Sequence, residues 1–410
     1  MKQPEAIHYQ NGVINVPNHV IIPFITGDGI GGDIAPIMIQ VVNEAVRLSY
    51  QNQRKIHWLE VLAGERAVSR LGDDQWLPQA TLDAFKHYHV GIKGPLTTPV
   101  GGGIRSLNVL LRQSLDLFVC LRPVRYYQGT PSPVKRPEEV DMVIFRENSE
   151  DIYVGIEAKA GSETAENLIT HIQSLGMGHQ LDKHTTGIGV KPISKHGTER
   201  LVHQAIQYAL VHNRSAVTLV HKGNIMKYTE GAFCQWGYDL AKREFGAKPL
   251  DGGPWLTIQR EGRDPLVIKD VIADAFFQHA LLHPKDHDVI ASTNLNGDYI
   301  SDALAAQVGG IGIAPGANLS QDIAIFEATH GTAPKHAGKN EANPSSLVLS
   351  AMMMLEHMQW NEAAMLMDRA LEHLIIKQKV TYDFAQFMPG SVALSTSEFG
   401  QAWCNEMSLI

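Results

Sequence analysis

The sequence predicts an α/β protein, and three observations predict it. Short apolar runs closed by turn residues alternate with longer amphipathic stretches, the pattern of strands interleaved with helices. Thirty-six glycines and twenty prolines are scattered rather than clustered, as many short connections require. The alternation extends over 410 residues, more than one hydrophobic core usually organises, so two large lobes are expected.

The elements follow in order. VIIPFI (20–25) reads as a buried strand, GDGIGG (27–32) as the turn after it, and residues 33–49 as a helix. IHWLEV, HVGIKGP, LDLFVCLRP, VDMVIFRE, AVTLVHKG and DVIAST read as further strands, and SLNVLLRQ as a helix. Residues 345–376 read as long helix with a break near Asn361, and their methionines as core packing. The stretch 158–190 is polar and without strong periodicity until GIGV. It reads either as an insertion that packs on a partner subunit or as a surface excursion.

Composition excludes several classes. The formal net charge is −8 and no Lys/Arg run occurs, so a nucleic-acid surface is not expected. Cys120, Cys234 and Cys404 have neither metal spacing nor the number for a disulfide framework, which predicts a reducing compartment. The first residues carry no leader pattern and no run approaches the roughly 20 apolar residues of a membrane span. A cytoplasmic chain is expected.

GDGIGG literally fits the dinucleotide-binding glycine pattern between a strand and a helix. Asp28 would set a carboxylate beside the phosphates, however, and Glu60 comes later than the usual acid, about 20 residues on. A tight strand-to-helix turn is the better reading.

The chemistry gathers elsewhere. Arg122 and Arg146 each end an apolar strand candidate, where α/β sheets bind ligands. Arg112 shares a helix face with Asn108 four residues earlier, and Ser106 stands near that helix's start. Guanidinium forks match carboxylates, so three of them with a helix N-terminus describe a di- or tricarboxylate site, although each arginine alone reads as a salt-bridge residue. Asp298 and Asp302 in NGDYISD lie on one face of a helix, and Asp274 in VIADAF is an acid embedded among apolar residues. Together they offer oxygen ligands for a hard cation such as Mg²⁺. Tyr153 and Lys222 are candidates for proton transfer, Lys222 because it directly follows a buried strand. The segment EATHGTAPKHAGKNEANP (327–344) reads as a rigid, donor-rich loop. Lys335 and His336 suit an anion such as a ribose 2′-phosphate, and His330 suits an adenine.

Long strings carry a resemblance: GPLTTPVGGGIRSLNVLLRQSLDLFVCLRPVRYYQGTPSPVK, FRENSEDIYVGIE, LVHKGNIMK, NLNGDYISDALAAQVGGIG and FEATHGTAPKHAGK. They resemble the bacterial NADP-dependent isocitrate dehydrogenases, a branch of the β-decarboxylating dehydrogenases, over almost the whole chain. The resemblance implies the isocitrate/isopropylmalate dehydrogenase-type fold, which is not a Rossmann fold. A large domain would take 1–117 and 309–410, a small domain 118–150 and 195–308, and a dimer clasp 151–194. It implies isocitrate contacts at Ser106, Asn108, Arg112, Arg122 and Arg146, proton transfer by Tyr153 and Lys222, and Mg²⁺ or Mn²⁺ held by Asp274, Asp298 and Asp302. In the family Lys222 and Asp274 reach the site from the other subunit, which implies a homodimer with shared sites. NADP contacts are implied at Thr97, His330, Gly331, Thr332, Ala333, Pro334, Lys335, His336, Asn343, Tyr382 and Gln386.

Three positions depart from the well-studied bacterial members. His336 stands where they have tyrosine, and His283 and Gln386 replace two arginines that help hold the 2′-phosphate. NAD-using relatives carry an acid where this chain has Lys335, so NADP is implied. The activity implied is oxidative decarboxylation of isocitrate in the tricarboxylic acid cycle. Phosphorylation of Ser106 by a dedicated kinase/phosphatase is implied as a switch toward the glyoxylate bypass. Isopropylmalate or homoisocitrate dehydrogenase is the nearest alternative, opposed by the polar pair Ser106 and Asn108, since an apolar substrate tail wants apolar neighbours. A silent regulatory subunit of the same fold is opposed by the full set of acids with Tyr153 and Lys222, and a Rossmann-type binding module comes last.

Overall fold

The computed structural model describes residues 3–10, 12–72, 75–97 and 106–410. Among them, one sheet of twelve strands runs the length of the molecule. Its order is Lys248–Pro249, Leu256–Arg260, Arg263–Ile272, Ala216–His221, Val289–Ser292, Asp141–Glu147, Val119–Arg125, Pro315–Leu319, Ala324–Ala328, Val90–Lys93, His19–Ile25 and Lys55–Glu60.

Pairing is parallel among the last four strands and again from Arg263–Ile272 through Asp141–Glu147. The middle is antiparallel. Val119–Arg125 pairs antiparallel with both Asp141–Glu147 and Pro315–Leu319, and the latter pairs antiparallel with Ala324–Ala328. The chain therefore crosses between the halves at 119–125 and returns at 315–319. Val90–Lys93, Ala216–His221 and Val289–Ser292 are buried along their whole length, as strands covered on two faces must be.

Helices Gly31–Tyr50, Ser345–His357, Asn361–Ile376 and Thr396–Met407 pack one core on the first half. Met352, Met353 and Met354 lie in that core, as the sequence suggested, and the helix break falls between His357 and Asn361. Phe85, Leu107 and Leu111 belong to a separate core that also takes in Ile25 and Ile325. In the second half, Lys195–Val211 and Glu230–Phe245 contribute to one core, and Ala273–Leu282 and Asn294–Gln307 to another. Residues 158–190 are more ordered than their weak periodicity suggested. Ser162 caps a helix, Glu163–Ser174, by accepting from Ala165 N, and Glu157–Ala158 pairs with Ile188–Gly189. Among the described residues no helix is long and apolar enough to cross a membrane.

The glycine turn has a structural task. The Asp28 carboxylate accepts from the backbone N–H of Glu65 at 2.9 Å and of Thr97 at 2.8 Å, and its N–H donates to Pro95 O at 2.7 Å. Ile30 N donates to Thr332 O at 2.9 Å, which ties this turn to the loop after Ala328. Gly29 sits at φ +55°, and a Cβ there would run into the Thr332 carbonyl, whereas a Cβ on Gly32 meets nothing within 4 Å. Gly29→Ala is therefore expected to lower stability by ~1–3 kcal/mol. Gly32→Ala, inside the helix Gly31–Tyr50, is expected to be neutral or stabilising by up to ~1 kcal/mol. Denaturant titrations of both variants check the opposite signs.

Candidate active site

The site forms where the antiparallel middle of the sheet meets two helices. Helix Leu107–Ser114 begins at Ser106, its N-cap position, and presents Asn108 and Arg112. Arg146 lies near the end of Asp141–Glu147, as expected. Arg122 does not end its strand: Val119–Arg125 continues past it and runs antiparallel to its neighbour, with Cys120 opposite Arg146. Arg122 thus reaches the site from mid-strand, not from a carboxyl end.

Asp298, one turn into helix Asn294–Gln307, is the shared acceptor. Arg146 Nη1 donates to Asp298 Oδ1 and its Nε to Asn294 Oδ1 at 2.8 Å. Tyr153 OH donates to Asp298 Oδ2 at 2.5 Å, and the Arg146 guanidinium lies 5.0 Å from the Tyr153 ring centre. Arg122 Nη1 donates to Ser301 Oγ at 2.6 Å and stands 3.4 Å from Asp302 and 3.9 Å from Asp298. Burial works to raise the Asp298 pKa, but Arg146, the Tyr153 hydroxyl, Arg122 and Arg112 hold it below the usual aspartate value. Asp302 moves the other way, raised by burial against the pull of Arg122, with Asp298 adding repulsion. Burial, then the Asp298 bond, push the Tyr153 phenol up to about 12, so it keeps its proton at neutral pH.

A second layer escaped the sequence reading. Lys93 and Glu327 are register partners on adjacent strands, 2% and 4% exposed, and form an ion pair at 2.7 Å. Glu327 also accepts from Arg112 Nη2 at 3.0 Å. Burial opposes ionisation of Glu327, yet Lys93 and Arg112 hold its carboxyl far below the ordinary glutamate range. The available signal was a lone charge inside each of two apolar strand runs, which is costly unless paired. Nearby, Arg112 Nε, Arg122 Nε and Asn108 Oδ1 are buried without a hydrogen-bond partner. The two guanidinium donors fit carboxylate oxygens from a ligand, and the Asn108 oxygen fits a ligand hydroxyl or other donor.

Lys222 and Asp274 form a separate pair. Lys222 follows the strand Ala216–His221, its N–H donates to Glu230 Oε2 at 2.5 Å, and its Nζ donates to Asp274 Oδ1. The sequence suggested that Asp274 is embedded, but its side chain is 70% exposed. Ala273 and Phe276 turn inward on that helix and Asp274 outward. Among the described residues, neither Lys222 nor Asp274 bonds to Tyr153, Asp298 or Asp302.

The cofactor-type loop runs from Ala328 to Ser345. His330 Nδ1 lies 2.9 Å from Gly331 O and must donate, so Nε2 is an acceptor, buried and without a partner among the described residues. Burial lowers the His330 pKa, which keeps the ring neutral and ready to accept from an exocyclic amine. His336 Nδ1 meets Glu341 Oε1 at 2.8 Å, and its ring stacks on Tyr382 with centres 5.7 Å apart. Asn343 donates to Asp383 at 2.9 Å, and Gln386 to Asp383 O at 3.1 Å. Gly331, Ala333, Pro334 and Lys335 are exposed, Thr332 less so, and Lys335 has no ion-pair partner among the described residues. Ala333 sits at φ +40°. His283 ends the helix Ala273–Leu282, away from this loop in sequence. The glycines 101–103 before Ser106 lie outside the described residues.

Comparison with known proteins gives the family and the fold. The isocitrate/isopropylmalate dehydrogenase family matches residues 21–403. The chain belongs to that family. An isocitrate dehydrogenase [NADP] of Pseudomonas aeruginosa is 60% identical over 96% of this chain and 95% of its own length. One from Coxiella burnetii is 61% identical over 98% and 94%. The crystal structure of isocitrate dehydrogenase from Methylococcus capsulatus superposes with a TM-score of 0.76 at 33% identity, over 94% of this chain and 99% of that one. The fold is thus that of the isocitrate/isopropylmalate dehydrogenase family, and the Rossmann module reading falls.

The ionised, buried Glu327 contributes stability that is fully present above the unfolded carboxylate pKa of about 4.3 and is lost progressively as pH falls from there towards its depressed folded pKa. Carboxyl-carbon NMR is expected to find Glu327 ionised at pH 4, where ordinary glutamates are largely protonated. Glu327→Gln is expected to cost ~3–5 kcal/mol, because Lys93 is left buried and unpaired. Lys93→Met combined with Glu327→Gln should recover part of that loss in denaturant titrations.

Proposed function

We propose that this chain oxidises isocitrate with NADP and decarboxylates the product to 2-oxoglutarate and CO₂, with Mg²⁺ or Mn²⁺, as a cytoplasmic enzyme. The observation that carries this reading is the arginine cluster around Asp298, with its unsatisfied buried donors. Charge balance supports it. Lys93, Arg112, Arg122 and Arg146 supply four positive charges against three carboxylates, Glu327, Asp298 and Asp302, and a Lys222–Asp274 ion pair brought from a second subunit would add no net charge. One positive charge remains. A tricarboxylate with a divalent cation carries one negative charge and neutralises it, whereas a dicarboxylate with the same cation leaves it standing.

In this reading Ser106, Asn108, Arg112, Arg122 and Arg146 bind the substrate's carboxylates and orient its C2 hydroxyl. Asp298 and Asp302, with Asp274 of a second subunit, would hold the metal, which fits a hard cation because all three offer carboxylate oxygens. When bound, the metal would supply Lewis-acid polarisation of the substrate oxygen and NADP a hydride acceptor. Lys222, held by Asp274 of the same second subunit, would help take the hydroxyl proton. Tyr153, protonated at neutral pH, gives its proton to the carbanion carbon left by CO₂. His330 would accept from the adenine amine. Lys335 and His336 would meet the 2′-phosphate beside Thr97, Gly331–Pro334, Asn343, Tyr382 and Gln386.

That the Lys222–Asp274 pair makes no direct bond, among the described residues, to Tyr153, Asp298 or Asp302 supports a homodimer in which each site takes one group from each subunit. The division into a large domain (1–117, 309–410), a small domain (118–150, 195–308) and a clasp (151–194) is supported by the separate cores of the two sheet halves. Ser106 heads the helix that carries Asn108 and Arg112. A phosphate there, placed by a kinase/phosphatase, would add about −1.5 to −2 charge where a substrate carboxylate belongs.

The test is kinetic. Isocitrate, NADP and Mg²⁺ should yield NADPH and 2-oxoglutarate, and EDTA should abolish both; turnover of isopropylmalate in place of isocitrate would refute the substrate. In the same assay Lys335→Asp should lower kcat/KM for NADP by ~1.5–3 kcal/mol relative to NAD. Ser106→Asp should remove isocitrate turnover while NADP still binds by calorimetry. For the dimer, inactive Tyr153→Phe and Lys222→Met proteins should regain activity when dissociated and reassociated together. A verified heterodimer without activity speaks against shared sites.

A further inference from the structure

Away from the arginine cluster, three side chains with metal-binding atoms meet in the second half of the sheet. His221 ends the strand Ala216–His221, Asp270 lies opposite Leu219 on the neighbouring strand, and Cys234 comes from the helix Glu230–Phe245. A ring nitrogen of His221, Sγ of Cys234 and a carboxylate oxygen of Asp270 all lie within 4.8 Å of one another. His221 is buried and the other two are partly so. Tyr238, one turn after Cys234, donates to Asp270 Oδ1 at 2.6 Å. His221 Nε2 stands 3.2 Å from Asp270 Oδ2, and Gly223 N donates to His221 Nδ1 at 3.0 Å. Because Nδ1 accepts, Nε2 carries the ring proton and donates to Asp270.

We propose that His221, Cys234 and Asp270 form a second cation site, suited to Zn²⁺ and separate from the acids at 298 and 302. Imidazole, thiolate and carboxylate are the three ligand types zinc takes, at about 2.0–2.3 Å, which sets ligand atoms roughly 3.5 Å apart. Side-chain rotation would have to draw the atoms, now spread over up to 4.8 Å, to that spacing. A mixed nitrogen, sulfur and oxygen set does not suit Mg²⁺. Tyr238 supplies the outer bond that orients a ligating carboxylate, and three protein ligands leave a fourth position open.

Binding balances as follows. The thiol proton leaves to solvent, sulfur and Nε2 each give a lone pair to the cation, and the ring proton moves from Nε2 to Nδ1. One proton is released per cation. The new Nδ1–H faces the Gly223 N–H, and the bond between them is lost. Gly223 directly follows Lys222 and is packed so closely on Gly231 that a Cβ has no room, so the turn has little slack. An occupied site therefore displaces the backbone that carries Lys222 and slows turnover even with Mg²⁺ saturating.

The probe is Co²⁺, titrated into the full-length protein at saturating Mg²⁺ and isocitrate, so that the other acids are filled. A sulfur-to-cobalt charge-transfer band should grow to one equivalent per subunit, and Zn²⁺ should displace it. Cys234→Ala should abolish the band, and Asp270→Asn should weaken Co²⁺ binding at least tenfold. Without zinc, Cys234→Ala should keep the wild-type Mg²⁺-supported rate, and zinc should inhibit it at least tenfold more weakly than wild type. No band, a band that persists in Cys234→Ala, or equal zinc inhibition of both proteins overturns the proposal. The band does not depend on any role of Lys222, so its absence is distinguishable from failure of the proposed reaction.

Discussion

One carboxylate, Asp298, sets the terms for the arginine cluster around it. It accepts from Arg146 and Tyr153, and Arg122 stands beyond hydrogen-bond reach but within ion-pair range. Asp302 adds a second carboxylate 3.4 Å from Arg122, but Glu327 alone faces both Lys93 and Arg112, so one positive charge is left over. The cluster is therefore held together by attraction that is incomplete, which is the condition for receiving an anion. On the proposed reading, a cation held by Asp298 and Asp302 draws the carboxylate away from the arginines, and the substrate's carboxylates take its place. Metal and substrate binding are then linked thermodynamically, each strengthening the other by the same factor.

The sheet explains why these groups meet. Two parallel halves would each place ligand sites at their own strand ends. The antiparallel crossing through Val119–Arg125 and Pro315–Leu319 instead brings Arg122 beside Arg146, while the neighbouring strand Ala324–Ala328 carries Glu327 beneath Arg112. The glycine turn at 27–32 stays outside this chemistry. Asp28 spends its carboxylate on two backbone N–H groups, and Ile30 anchors, at Thr332, the loop that carries His330 to His336.

Much of this was legible in the sequence. The helical spacing of Asn108 and Arg112, the acids at 298 and 302, and the helix break before Asn361 all follow from a period near 3.6 residues or from punctuation. Strand direction is not encoded in an apolar run, which is why Arg122 was placed at a strand end. Burial is not encoded in apolar neighbours either: Asp274 has them on both sides, yet its helix turns it to solvent. Lys93 and Glu327 went unread because their pairing spans more than two hundred residues of chain, and only the folded register joins them. The capped helix at 163–174 was hidden by its polar surface, though Ser162 followed by Glu163 and Glu166 is an N-terminal signal.

The linkage through Asp298 is the point where the account is most exposed. Calorimetric titration of isocitrate, at fixed ionic strength with and without Mg²⁺, measures it directly. The account predicts that Mg²⁺ tightens isocitrate binding at least tenfold, about 1.4 kcal/mol of coupling, and that Asp298→Asn removes most of that gain. Equal affinity with and without Mg²⁺, or an undiminished gain in Asp298→Asn, would contradict it.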